Sequence, residues 1–380
     1  MTEPHPARRR QVLAAVAALP LAPWSTLARA AQPRTVVAAW QDQAQQHLGL
    51  LQLQAQGLHE LHRVALPTRA HGLQVLADGS VLAAARRPGD WLLRWHPERA
   101  LQHWAWVEPE RRLNGHLLAC GERLWSSETE LEAGQGLLGL RHALSLEKTE
   151  EWPTHGRDPH QVLALPQPLA GLPPGALLVA NGGIPTLPET GRSKLWVHEM
   201  ASSLVALHPQ HGALLGQWQL SERYLSLRHL AWNPHSQLLG VALQAEHPDP
   251  QARATAPVLA VWNGRELRTA PPHTPLQGYG GDICALPDGG FLVSCPRAHA
   301  LARFSATGTL THTHELKAAC ALFSDATGWA CAGAALASTA PHRTSAEPTP
   351  LALPPQAHWQ LDNHWLPLST ALGTPTPAQR

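Results

Sequence analysis

The sequence predicts an all-β chain, a seven-bladed β-propeller preceded by a cleaved signal peptide. Three observations predict it. Pro and Gly are frequent, 35 and 29 of 380 residues, while charged residues make up only 15%. That balance suits many short strands joined by tight turns rather than long helices. A phrase then recurs along the chain: a polar or His residue, an apolar strand, a tight turn, and a second apolar strand. Finally, the phrases repeat with a period near 45 residues, the signature of four-stranded propeller blades of the YVTN/WD40 kind. A β-sandwich or two small β domains would not produce that period.

The first 31 residues read as a targeting segment. Arg8-Arg9-Arg10 precedes an apolar stretch from Val12 to Leu21, and Leu27-Ala28-Arg29-Ala30-Ala31 offers small residues at cleavage spacing. This is the layout of a secretory leader, and the paired arginines point to twin-arginine export. The apolar run is too short to span a membrane comfortably, and no other segment approaches 18 apolar residues. The expectation is a periplasmic protein without a membrane span in its mature chain, folded as one propeller domain over residues 32–380.

The phrases follow in order. Thr35-Val36-Val37-Ala38-Ala39-Trp40 opens the set. His71, His116, His160 and His229 each begin a phrase, and Asp282 and Ala319 begin the last two. The intervals from His71 onward are 45, 44, 69, 53 and 37 residues. The long interval holds Asn181-Gly182-Gly183-Ile184-Pro185 and the cations Arg192 and Lys194. Such a loop inside a compact repeat is commonly functional, and here it is expected to fold over the channel mouth. Residues 334–357, rich in Ala, Pro and Thr, read as irregular. His358 to Trp365 is a candidate closing strand that pairs beside the N-terminal one.

The first strand of a blade lines the central channel, so residues at one phrase position converge near one axis. Four imidazoles, His71, His116, His160 and His229, therefore form a candidate site for copper, iron or zinc. They are equally a candidate source of acid/base groups near neutral pH. Asp282, in the same slot of the next phrase, is a weaker carboxylate candidate. Among 24 His some fall in register by chance, so buried structural histidines remain a third reading. Arg69, Arg111 and Arg228 lie just before their histidines, and with Arg192 and Lys194 they suggest a positive rim for a carboxylate or phosphate ligand. The competing reading is ion pairing with Glu128, Glu130 and Asp158.

Other chemistries lack their motifs. G-x-S-x-G, H-E-x-x-H, a P-loop, G-x-G-x-x-G opening a helix and C-x-x-C-H are all missing. A net charge of +1 with no basic stripe argues against nucleic acid. The five cysteines, Cys120, Cys284, Cys295, Cys320 and Cys331, allow a hairpin disulfide or buried free thiols.

Taken together, Arg69-Ala70-His71-Gly72, Arg86-Arg87-Pro88-Gly89, Gly115-His116, Asp158-Pro159-His160, Asn181-Gly182-Gly183-Ile184, Gly191-Arg192-Ser193-Lys194-Leu195, Leu225-Ser226-Leu227-Arg228-His229-Leu230-Ala231 and Gly278-Tyr279-Gly280-Gly281 resemble a bacterial family of exported seven-bladed propellers, catalogued as domain of unknown function 1513. A weaker match reaches Asp362-Asn363-His364. The chain departs from the family pattern at Leu187, where the family has His before Pro, and at Gln161, where it has Glu. The resemblance implies a periplasmic propeller encoded beside imelysin-type and di-haem peroxidase-like proteins of iron acquisition, and no established enzyme activity. The functional expectation is a non-enzymatic propeller that binds a metal ion or a partner protein in iron or copper handling. The alternatives are a metal-dependent oxidoreductase at the same histidines and a scaffold without metal.

Overall fold

The structure, a computed structural model, describes residues 34–184, 197–272, 274–342 and 347–368. Among them are seven four-stranded antiparallel sheets, the blades of a β-propeller. Blade two is typical. Its strands Ala70–Val75, Val81–Ala85, Trp91–His96 and Leu101–Trp106 run from the axis to the rim. The second strand, Val-Leu-Ala-Ala-Ala, is buried throughout, while the outermost is half exposed. A strand covered on both faces must be apolar without alternation, and this is why the inner half of each blade reads as a continuous run.

The core is not one mass but seven layers, each between two neighbouring blades. Leu178, Ala180 and Leu204 of blade four meet Leu239, Val241 and Trp262 of blade five in one such layer. The turns repeat as well. Asp78 accepts from the Ser80 amide (2.9 Å) and from Arg94 Nη2 (2.6 Å). Asp288 does the same with the Gly290 amide (3.0 Å) and Arg303 Nη2 (2.6 Å) four blades on. In each case a side chain on the third strand locks the turn that joins the first two.

The inner strands that ring the axis are Ala70–Val75, Arg111–Cys120, Pro159–Ala164, Leu225–Asn233, Asp282–Ala285, Ala321–Asp325 and Trp359–Pro367. The last of these belongs to blade one. It pairs with Arg34–Asp42, with Val37 opposite Leu366 and Trp40 opposite Leu361. The closing strand expected near the C-terminal end of the repeat is therefore present. The phrase Thr35–Trp40, however, is the second strand of its blade rather than the axial one. Blade one takes its axial strand from the other end of the repeat, because that is how the ring closes.

A second correction concerns residues 334–357. They contain Ala337–Ala340 and Thr349–Leu351, the outer strands of blade seven. These strands are short, and Pro350 sits on the outermost one, where a missing N–H costs no ladder bond. Their Ala/Pro/Thr composition hid them. All five cysteines are free thiols. No helix among the described residues is long and apolar enough to cross a membrane.

Candidate metal centre

Five of the seven axial strands carry a β-bulge, and each bulge carries a histidine. The register breaks between Ala70 and Leu73, Leu113 and Leu117, Pro159 and Val162, and Leu227 and Leu230. On the closing strand it breaks between Leu361 and Trp365. His71, His116, His160, His229 and His364 occupy these breaks. A bulge re-aims a side chain out of the ordinary pleat, and here the five rings turn toward one another. The axial strands of blades six and seven keep regular register and bring no histidine to the cluster.

Consecutive rings stand at nearly equal spacing. Centroids are 4.5 Å apart for His364 and His71, 4.7 Å for His71 and His116, and 4.5 Å for His116 and His160. They are 4.7 Å apart for His160 and His229, and again for His229 and His364. One ring nitrogen from each of His71, His116, His160 and His229 lies within 4.8 Å of the other three. Two ligands about 2.0 Å from a shared ion lie about 3 Å apart when adjacent and about 4 Å apart when opposite. His160 Nε2 and His229 Nε2, at 3.0 Å, already match the adjacent case.

The packing that permits this is specific. Gly115 has φ of +98°, and a Cβ there would come within 2.7 Å of His71 Cδ2. A Cβ on Gly72 would meet the Gly115 carbonyl oxygen at 2.3 Å. Only two glycines let the strands of His71 and His116 approach this closely.

All four rings are buried, and burial is the main cause that pushes their pKa values well below the usual imidazole value. Neighbouring histidines and the guanidiniums of Arg86, Arg87 and Arg228 add to it. The rings are therefore neutral at neutral pH, the form that ligates a metal. His71 Nδ1, His116 Nε2, His160 Nδ1 and His229 Nδ1 are buried with no hydrogen-bond partner. Buried polar atoms are ordinarily satisfied, yet each of these four rings keeps one nitrogen without a partner, in His160 and His229 the one turned away from their 3.0 Å Nε2–Nε2 contact. The donor set, all imidazole, suits copper, iron or zinc.

His364 is the residue that sequence reasoning missed. Its Nδ1 lies 3.1 Å from Asp282 Oδ2, and its Nε2 is buried without a partner. Asp282 also accepts from the amides of Ile283 (2.9 Å) and Leu322 (3.2 Å). Asp282 thus does not join the four-histidine group as a carboxylate ligand. It contacts His364 Nδ1 instead, as a carboxylate does when it fixes an imidazole ring from behind. The signal was available in Asp362-Asn363-His364, but its distance from the other phrases concealed it.

The cations are arranged differently from an open positive rim. Arg111 forks onto Glu151 through two 2.9 Å bonds. Arg69 forks onto Asp362, with Nη2 to Oδ1 at 2.5 Å, and reaches Asn363 Oδ1 at 3.0 Å. Arg228 Nη1 donates to Asp158 Oδ2 at 2.9 Å, and Arg87 bonds the other oxygen of the same carboxylate. Ion pairing, the competing reading, describes Arg228 with Asp158 as expected, and Arg69 and Arg111 as well, though with Asp362 and Glu151 rather than Glu128 or Glu130. Arg192 and Lys194 lie outside the described residues, so the placement expected for them over the channel mouth lies there too. The loop's first residues are seen: buried Asn181 donates to the Thr154 carbonyl (2.8 Å), and the Gly182 and Gly183 amides donate to the carbonyls of Asp158 (2.8 Å) and Arg157 (2.9 Å). A Cβ on Gly182 would lie 2.6 Å from Asp158 Oδ2, so the loop leaves its blade directly beside the Asp158–Arg228 pair.

The profile of one protein family, described as a protein of unknown function (DUF1513), matches residues 64–368. The chain belongs to that family. The DUF1513 match runs from just before the Arg69–His71 segment through His364, so it covers all five rings. No curated protein matches the chain. Solved structures share the fold. A putative 6-phosphogluconolactonase from Bacteroides fragilis has a TM-score of 0.57 at 12% identity, over 88% of this chain and 98% of that one. A functionally unknown protein from Desulfotomaculum acetoxidans also has 0.57, at 10% identity, over 88% and 99%. Hydrazine synthase of Kuenenia stuttgartiensis has 0.56 at 12% identity, over 82% and 93%. At these identities the likeness concerns the propeller alone.

Proposed function

We propose that this DUF1513 propeller is a binding protein that holds one transition-metal ion on His71, His116, His160 and His229, with His364 as a fifth nitrogen. The observation that carries the reading is the convergence of four buried imidazoles, one ring nitrogen of each lying within 4.8 Å of the other three. Imidazole ligation fits copper or iron. The leader-like residues 1–31, with Arg8-Arg9-Arg10, support export by the twin-arginine route as a folded periplasmic protein. The resemblance to exported propellers supports a role in iron or copper acquisition beside imelysin-type or di-haem peroxidase-like partners.

Metal analysis of protein exported to the periplasm tests this. The expected result is about one copper or iron per chain, lost when His116 and His229 are both replaced by Ala while the circular dichroism spectrum is kept. Metal far below one per chain, unchanged by the double substitution, would overturn it and leave a scaffold. Turnover of peroxide, phenols or thiols by the loaded protein would move the reading to an oxidoreductase.

A further inference from the structure

We propose that the small cavity between the histidine cluster and Arg228 takes a compact oxyanion, of the size of formate or nitrite, that bridges Arg228 and the bound metal. This rests on the metal reading above.

Arg228 carries the argument. It is only 1% exposed. One of its nitrogens, Nη1, is committed to Asp158, while Nε and Nη2 are buried with no partner. A guanidinium presents five donors in a fixed fork, and leaving charged donors unsatisfied in the interior is costly. The unpartnered Nε and Nη2 form one edge of that fork, the geometry that grips a carboxylate-like group through two parallel bonds.

Space and charge agree. The cavity measures about 30 Å³ and is lined by Arg228, His71, His160, His229, Gln244 and Tyr279, among others. One water needs roughly 10–15 Å³ on such a measure, so two or three water-sized atoms fit and a phosphate ester does not. Arg86 and Arg87 border the same space. Arg87 and Arg228 share the single carboxylate of Asp158, and Glu246 adds its attraction to Arg228. The histidines bring no charge of their own. A divalent ion on them would add buried positive charge beside these guanidiniums, and an anion in the cavity would offset it.

The test uses the full chain loaded with Cu²⁺, with copper content measured first. Sodium formate is then titrated against sodium chloride at equal ionic strength, with the electron paramagnetic resonance and visible spectra recorded. A saturable, formate-specific change is expected. It should weaken at least tenfold in R228Q, which keeps its copper, and at least threefold in R228K, which retains charge but loses the fork. A wild-type protein holding one copper whose spectra ignore formate overturns the inference and leaves the metal reading intact. Unaltered formate affinity in either variant also overturns it. A protein that holds no copper overturns the metal reading itself, and the bridging anion with it.

Discussion

His160 Nε2 and His229 Nε2 stand 3.0 Å apart although 69 residues separate them in the chain. Each sits on a bulge of its own axial strand, in adjacent blades. Without a metal, one nitrogen must donate a proton to the other. With a metal, neither keeps a proton on that side. A metal on this pair would require the Nδ1–H tautomer in both rings, a proton shift within one imidazole, and the pair lies between blades four and five, next to Arg228.

On the proposed metal reading, the Asp282–His364 contact would set the strength of binding rather than its existence. Replacing Asp282 with Asn leaves the four other imidazoles in place but weakens the hold on His364. Loss of such a backing carboxylate typically lowers metal affinity by about 10–100-fold. Competition with a chelator of known affinity should show that drop at unchanged stoichiometry. Equal affinity in D282N would show that His364 takes no part.

Gly115→Ala acts through geometry alone. The added methyl meets His71 at 2.7 Å, and the residue must keep a φ of +98°. Left-handed strain of this kind costs about 1–3 kcal/mol, to be read by urea denaturation. Metal content should fall in the same variant, since His71 must move.

In blade three a buried charge network sits apart from the histidine cluster. Glu128, fully buried, accepts from Arg141 Nη2 (2.8 Å), Lys148 Nζ (2.9 Å) and Ser126 Oγ (2.6 Å). Arg141→Ala removes one of the two cations that hold this carboxylate and leaves it to Lys148 and Ser126, a loss of about 1–3 kcal/mol. Metal content per folded chain should not change, and this separates a stability defect from a site defect.

Stability should fall in acid partly through Glu151. The Arg111 fork, aided by Lys148 and opposed by burial, lowers its pKa from 4.5 to about 2. The unfolded chain binds that proton first as pH falls. The contribution is therefore complete above about pH 4.5 and is lost progressively toward pH 2. Denaturant titrations should show a shallower acid slope over that window in Glu151→Gln, and the same slope as wild type would rule out the assignment.

The blades and four of the five histidines were legible because each histidine opens a phrase of one repeat, and a regular period reports a regular sheet. The bulges were not legible, since a bulge is a relation between two strands and leaves no mark on one. His364 was hidden for a related reason: its strand is joined in space to Arg34–Asp42 but is far from it in sequence, across a stretch whose strands are three and four residues long. Of the cations, Arg228 lines the space beside the histidines. The partners of the cations lie 70 residues away for Arg228 and 293 for Arg69, too far for local spacing to reveal which charges cancel.

The closing strand has a further consequence. It supplies blade one with its axial strand, carries His364, and is gripped by Arg69 two residues before His71. A propeller lacking this strand has an open seam and an incomplete set of ligands at the same moment. On the proposed reading, occupancy by an ion would report that the circle has been sealed, and losing this strand would open the ring and remove one imidazole in one event. The strand that seals the ring, Trp359–Pro367, is also the one that carries the fifth histidine of the cluster.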